Sequence, residues 1–221
     1  MRTPHRTVLV STRSFGKEIR EPLLRLMDQG CRILEWREGG GLPESDLLTQ
    51  LREADAWIVA FHPIGSTLLD AAPRLRIIAK HGVGVDNIDI AAATARGIVI
   101  ATAPSTNDQA VADLTMGLLL AMLRRIPEAN GSVKAGRWER FLGCGLGGKV
   151  MGILGLGRIG QNVARRARGF GVVLIGADPL WPEDAARDIG IRRVELHELL
   201  AQADIISLHA PLTPQTTGLI G

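Results

Sequence analysis

The sequence is poor in the residues that build cross-links and metal cages. Only two cysteines occur in 221 residues, Cys31 and Cys144. They lie far apart without metal-ligand spacing, so both read as small packing residues. His5, His62, His81 and His197 show no ligand spacing either and read as surface or loop histidines. Lysine is confined to positions 17, 80, 134 and 149, so the basic side is almost all arginine, scattered along helices for a net charge of +3. With no concentrated basic run, nucleic acid is excluded as a primary partner; the cluster Arg165, Arg166, Arg168 reads as a solvated helix face. No apolar stretch reaches membrane-spanning length, and the N-terminus MRTPHRTVLVSTRS has no signal-cleavage pattern. A soluble, cytoplasmic protein with no membrane partner is the expectation. No internal repeat or low-complexity segment appears.

What the sequence does contain is a real core, with 46% apolar residues, and a dense α/β pattern. VLVST (7–11), CRILEW (31–36), AWIVA (56–60), RIIAK (76–80) and GIVIA (97–101) read as short buried strands. Residues 18–28, 44–53, 66–72 and 89–95 carry helical spacing, with Ser45, Ser66 and Asp89 as N-cap candidates. Such alternation predicts a parallel sheet covered by helices, flavodoxin-like in pattern. After Pro104, which ends the fifth strand, Thr106 or Asn107 is placed to cap a strongly apolar helix over 108–125. That helix is too hydrophobic to face water freely and must be buried, against the next domain or against another subunit. A second helical stretch runs to about Gly136, and a Gly-rich connection leads onward.

The stretch Lys149 to Asp178 then reads as a dinucleotide-binding βαβ unit. The apolar run Val150 to Leu154 predicts a buried parallel strand ending at glycine. Gly155 permits the tight turn, Gly157 lets a pyrophosphate approach bare backbone, and Gly160 allows helix to pack closely on sheet. The helix over 158–168 starts under the phosphates, where its free N–H groups stabilise their charge and Arg158 adds a charged contact. A second strand, 172–176, leads to Asp178, whose carboxylate can take both ribose hydroxyls. That carboxylate would repel a 2′-phosphate, and Pro179, Leu180 and Trp181 offer no arginine to neutralise one; the predicted cofactor is NAD. Residues 183–189 and 195–202 read as helices, and ADIISLHA (203–210) as a third strand.

HGVGVDNID (81–89), APSTNDQAVAD (103–113), GLGRIG (155–160) and SLHAPLTPQTTGLIG (207–221), in this order and spacing, resemble the NAD-dependent D-2-hydroxyacid dehydrogenases, close to the phosphoglycerate dehydrogenase branch. The resemblance implies a flavodoxin-like substrate domain over 1–103, followed by a Rossmann-type doubly wound NAD-binding domain over 104–221. It also implies hydride transfer between NAD and a small 2-hydroxy or 2-keto acid in a homodimer, formed through the helices around 108–136. By position, Val83 and Gly84 belong to a loop whose amides hold the substrate carboxylate beside the nicotinamide. Gly82 and Gly84 would free that backbone to form an anion nest, although a plain turn would use the same glycines. Asn107 takes a hinge position near the substrate, or serves only as a helix cap. Arg158 and Ile159 match the pyrophosphate pair, Asp178 the ribose carboxylate, and His209, Ala210, Pro211 and Thr216 the segment lining the cofactor. The position of His209 is structural or cofactor-lining in this family, not catalytic.

Two departures qualify the match. Phosphoglycerate-specific members carry an arginine and a serine just after the third strand, where this chain reads AFHPIGS (60–66), so a phosphorylated substrate is not expected. Lys80 either supplies charge instead or is a solvated strand end. The family's catalytic arginine, glutamate and histidine, a set suited to proton exchange beside a hydride transfer, match no motif here. Counting strands 150–154, 172–176 and 204–208 as the first three of the order 3-2-1-4-5-6, only the adenosine half is encoded, and strand 150–154 becomes a bare apolar edge. On that count the chain is a fragment or a decayed product, silent by itself. An NAD-sensing binding module is the alternative to an enzyme.

Overall fold

The computed structural model describes residues 6–220, so His5 lies outside it. The chain divides into two compact units, Met1–Pro104 and Ser105–Gly221, one residue beyond the expected boundary.

In the first unit the elements run β1 (Thr7–Val10), α1 (Glu21–Asp28), β2 (Arg32–Glu35), α2 (Glu44–Leu51), β3 (Ala56–Val59), α3 (Ser66–Asp70), β4 (Ile77–Lys80), α4 (Ile90–Ala95) and β5 (Val99–Ala101). The strands form one parallel sheet in the order β2-β1-β3-β4-β5, the flavodoxin-like order, with its crossover between β1 and β3. Trp57, fully buried at the centre of this unit's core, donates its indole N–H to Ser11 Oγ at 2.8 Å. The polar tip of a large apolar side chain is thereby satisfied inside the core. Helix starts are less regular than expected. Asp89 caps α4 through Ala92 N at 2.8 Å, but Pro43 and Gly65, not Ser45 and Ser66, stand at the caps of α2 and α3. Both serines lie inside the first turn.

In the second unit follow α5 (Asp108–Leu123), α6 (Ile126–Lys134), β6 (Val150–Leu154), α7 (Arg158–Arg168), β7 (Val173–Ala177), α8 (Glu183–Ile189), β8 (Arg192–Arg193), α9 (Leu196–Gln202) and β9 (Ile205–Leu208). Their parallel sheet has the order β8-β7-β6-β9, which corrects the strand count. The third strand is the two-residue β8, paired to β7 through Ile175 and Gly176. The strand expected as third, β9, is the fourth, and it lies on the opposite side of β6 with Met151 facing Ile205. β6 is therefore a central strand hydrogen-bonded on both sides, not a bare edge, and the unit includes the point where strand order reverses.

Packing explains two further differences. Arg166 on α7 reaches Asp113 at 2.6 Å and Gln109 Oε1 at 2.8 Å on α5, and Arg168 donates to Asp188 O at 3.0 Å. Arg166 ties α7 to α5 instead of joining a solvated face, whereas Arg165 and Arg168 stay exposed as expected. Ala112, Met116 and Leu119 of α5 are buried in the core with α7, but Leu114, Leu118 and Met122 are 61%, 62% and 66% exposed. Of the cysteines, Cys31 is partly buried against a small core cluster, whereas Cys144 is exposed and is not a packing residue. Among the described residues, no helix is long and apolar enough to cross a membrane.

Candidate dinucleotide and carboxylate sites

At the carboxyl end of β6 the chain turns through Gly155, whose φ of +87° favours glycine. A Cβ there would stand 2.6 Å from Ala210 N and 2.7 Å from His209 C. The glycine loop thus rests directly on the segment leaving β9, as expected where two adjacent strands diverge at a switch point. Gly160, in the first turn of α7, comes still closer: its Cβ would lie 2.1 Å from Gly155 O. Gly157 is different, because a Cβ there meets nothing within 4 Å. Two glycines let protein pack on protein, and the third opens onto free space.

The amides of this turn are available. The first backbone bond of α7 joins Gln161 N to Gly157 O at 2.9 Å, and among the described residues no backbone acceptor is found for the N–H groups of Gly157, Arg158, Ile159 or Gly160. These donors and the helix dipole point at one place. Arg158 is exposed there without an ion-pair partner among the described residues, and Ile159 is half-buried.

Asp178 follows the end of β7. Its Oδ2 accepts from Leu156 N at 2.6 Å and its Oδ1 from Leu180 N at 2.7 Å, so the carboxylate is tethered to the glycine loop with lone pairs to spare. Sequence reading missed Arg193, which β8 brings over the ring of Trp181 at 5.7 Å. Its only clue was a two-residue strand without apolar pattern. His209 N donates to Leu154 O at 2.7 Å, extending the β9 ladder, and its Nε2 lies 2.8 Å from Ser207 Oγ. Burial pushes the His209 pKa below the ordinary histidine value. Thr216 folds back on its own turn, donating to Pro211 O at 2.6 Å and accepting from Thr213 N at 2.8 Å. Its hydroxyl shapes the 211–216 segment. Asn107 occupies the N-cap of α5 but makes no capping bond; its Oδ1 is buried without a hydrogen-bond partner among the described residues.

The loop after β4 belongs to the first unit. Gly82 has φ +151°, and its carbonyl oxygen accepts from Ala103 N at 2.9 Å. A Cβ on Gly84 would lie 2.9 Å from Asp86 Oδ1. Val83 and Gly84 are exposed, and their N–H groups have no partner among the described residues. Behind them His81 is no free loop histidine: its Nδ1 lies 3.3 Å from Thr12 Oγ1, and its ring stacks edge-on with Phe15. His62 packs on Trp36 and Trp57. Lys80 is only 8% exposed and donates to Ala60 O and Asn87 Oδ1, so it is not a solvated strand end. Burial pulls its pKa down, against the attraction of Asp86. No cluster of three or more potential metal ligands exists among the described residues.

The glycine turn, its unpartnered amides and the tethered carboxylate fit a dinucleotide: open space at Gly157 for the pyrophosphate and two oxygens at Asp178 for the ribose. Comparisons with known proteins agree. Residues 116–221 match the family model for the D-isomer specific 2-hydroxyacid dehydrogenase NAD binding domain. The chain is 45% identical over 185 residues to a D-3-phosphoglycerate dehydrogenase of Methanocaldococcus jannaschii, covering 82% of this chain and 35% of that protein. It is 40% identical over 215 residues to a glyoxylate reductase of Thermococcus litoralis, covering 93% of this chain and 65% of that one. A crystal structure of a glyoxylate reductase from Paecilomyes thermophila superposes with a TM-score of 0.80 at 30% identity, over 97% of this chain and 67% of that chain. The chain thus spans about a third of the length of the first relative and about two thirds of the others. With its glycine turn, its β9 neighbour and the matched domain in agreement, the chain belongs to the D-isomer specific 2-hydroxyacid dehydrogenase family.

Proposed function

We propose that this chain serves an NAD-dependent oxidoreductase that interconverts a small 2-hydroxy acid and its 2-keto acid. The observation that carries the reading is the apposition of the Gly155–Gly157 turn and His209–Ala210, with Asp178 tethered to Leu156 N. In this assignment the amides of Gly157 to Gly160 and the Arg158 guanidinium hold the pyrophosphate, with Gly155 and Ile159 shaping the turn. Asp178 takes the adenosine ribose, and His209, Ala210, Pro211 and Thr216 line the cofactor. Bound NAD would supply the hydride acceptor. The exposed amides of Val83 and Gly84 are assigned to the substrate carboxylate, and Val83 is also assigned to cofactor binding. Asn107, whose buried Oδ1 has no partner among the described residues, is assigned to substrate binding as an acceptor. None of the described residues is assigned the acid/base role. His209 is held by Ser207 and favours its neutral form, which suits a wall and not a proton shuttle.

The absence of an arginine in residues 60–66 favours an unphosphorylated substrate. The exposed stripe Leu114, Leu118, Met122 on α5 supports a homodimer. The test is direct titration of the chain with NADH and NADPH by fluorescence. Saturable NADH binding with at least tenfold preference over NADPH is expected, and equal binding of both or of neither sinks the assignment.

A further inference from the structure

We propose that Lys80 is a positioning residue, a side-chain strut that fixes the shape of the Gly82–Gly84 loop by joining its two ends to the segment after β3. The inference rests on reading that loop as the receiver of the substrate carboxylate.

Lys80 is the last residue of β4, and its strand neighbours Ile77, Ile78 and Ala79 are apolar. Placing an ammonium group on a residue that is only 8% exposed is costly unless the group is well paired, and a methionine would fill the space without that cost. The charge has specific work: its Nζ donates to Ala60 O and to Asn87 Oδ1, and it sits 5.7 Å from the Phe61 ring centroid. Asn87 answers from the other end of the loop. Its Nδ2 donates to Ala60 O at 3.2 Å and His62 O at 2.7 Å. The amide orientation is set by chemistry, because the flipped form would face two carbonyl oxygens with an oxygen and the ammonium with an NH2.

The residue that opens the loop therefore bonds the residue that closes it, seven positions on, and both hold the same carbonyl of Ala60. Backbone bonds reinforce these anchors, from His81 N to Val59 O at 2.7 Å and from Ile64 N to Asn87 O at 2.7 Å. Between the anchors, the stem of Lys80 runs under Gly82: its Cε lies 3.7 Å from where a Cβ on that glycine would stand. An anion receiver built from main-chain amides gains from being held in shape before the anion arrives, since no ordering cost falls on binding. Lys80 supplies that hold without itself facing the ligand.

The experiment compares the chain with its Lys80→Met, Lys80→Arg and Asn87→Ala variants. NMR reads amide hydrogen exchange and the amide shifts induced by pyruvate. In Lys80→Met, exchange of the amides at 82–87 should be at least tenfold faster and the pyruvate concentration for half-maximal shift at Val83 and Gly84 about tenfold higher. Amides in β3 should keep their protection. Lys80→Arg, which keeps the cation and its donors, should recover most of both effects. Unchanged loop exchange in Lys80→Met, or an arginine variant as loose as the methionine one, overturns the proposal. If Lys80→Met does not fold, Asn87→Ala removes the same link from the other end and must loosen the loop for the proposal to stand. Loop loosening without any pyruvate shift in the unmodified chain supports the strut and overturns the carboxylate reading.

Discussion

Asp178 carries two separable tasks, and substitution distinguishes them. Asp178→Asn keeps an oxygen for Leu156 N but removes the charge that opposes a 2′-phosphate. It should lower the preference for NADH over NADPH at least tenfold with little change in melting temperature. Asp178→Ala also strands the Leu156 N–H, a loss of about 1–3 kcal/mol if that group stays buried, so it should both relax selectivity and lower stability. Fluorescence titration and thermal unfolding read the two effects. His209 makes a different prediction. Burial lowers its folded-state pKa below the ordinary value near 6.5, so the unfolded chain takes up a proton before the folded one does. Its contribution is fully present above pH 6.5 and is lost as pH falls through the folded pKa. Urea midpoints measured from pH 8 to pH 5 should fall in the acidic half, and His209→Asn should flatten that part of the profile. Among the candidate residues, Gly155, Gly157, Gly160 and Asp178 were legible in the sequence because each is required by a local chain geometry of fixed spacing. Lys80 and Arg166 were not. Their partners Ala60, Asn87, Asp113 and Gln109 come from other elements, and one-dimensional spacing shows a lysine or arginine without showing what it meets.

Among the elements, α7 and the turn before it are the most constrained. Gly157→Ala meets open space and an extended backbone, so it should change stability by no more than about 0.5 kcal/mol while weakening NADH binding about tenfold or more. Gly160→Ala drives a Cβ to 2.1 Å from Gly155 O. It should cost about 1–3 kcal/mol or more through forced separation of helix and loop, with loss of binding as a consequence. Calorimetric melting beside titration separates the pair, and equal stability of the two variants would count against the packing assigned to Gly160. The long apolar elements were read correctly to within a few residues, as at α7 and β6, because their periodicity is strong. β8 was invisible, since two arginines with both side chains exposed carry no strand signature. Missing it shifted β9 from fourth place to third and turned a central strand into an apparent edge.

Across the molecule, both sheets reverse their strand order beside the first strand, β1 in one unit and β6 in the other, and the proposed sites stand at carboxyl ends of those sheets. The exposed stripe on α5 bears on assembly. If it is covered by a second copy, Leu118→Glu should convert a dimer to a monomer in sedimentation while leaving the folded-state circular dichroism unchanged. A monomer before substitution would overturn the homodimer. The pairing of β6 with β9 has one more consequence, in time. Val150 N is bonded to Asp204 Oδ2, 54 residues later, and Gly155 leans on His209 and Ala210. A ribosome that has released residue 178 has already delivered the whole glycine fingerprint and its carboxylate, yet nothing for the turn to lean on. At about 5–20 residues per second, β6 waits seconds with one flank open before its second neighbour emerges, and nascent chains arrested in that interval should be sensitive to protease and blind to NADH.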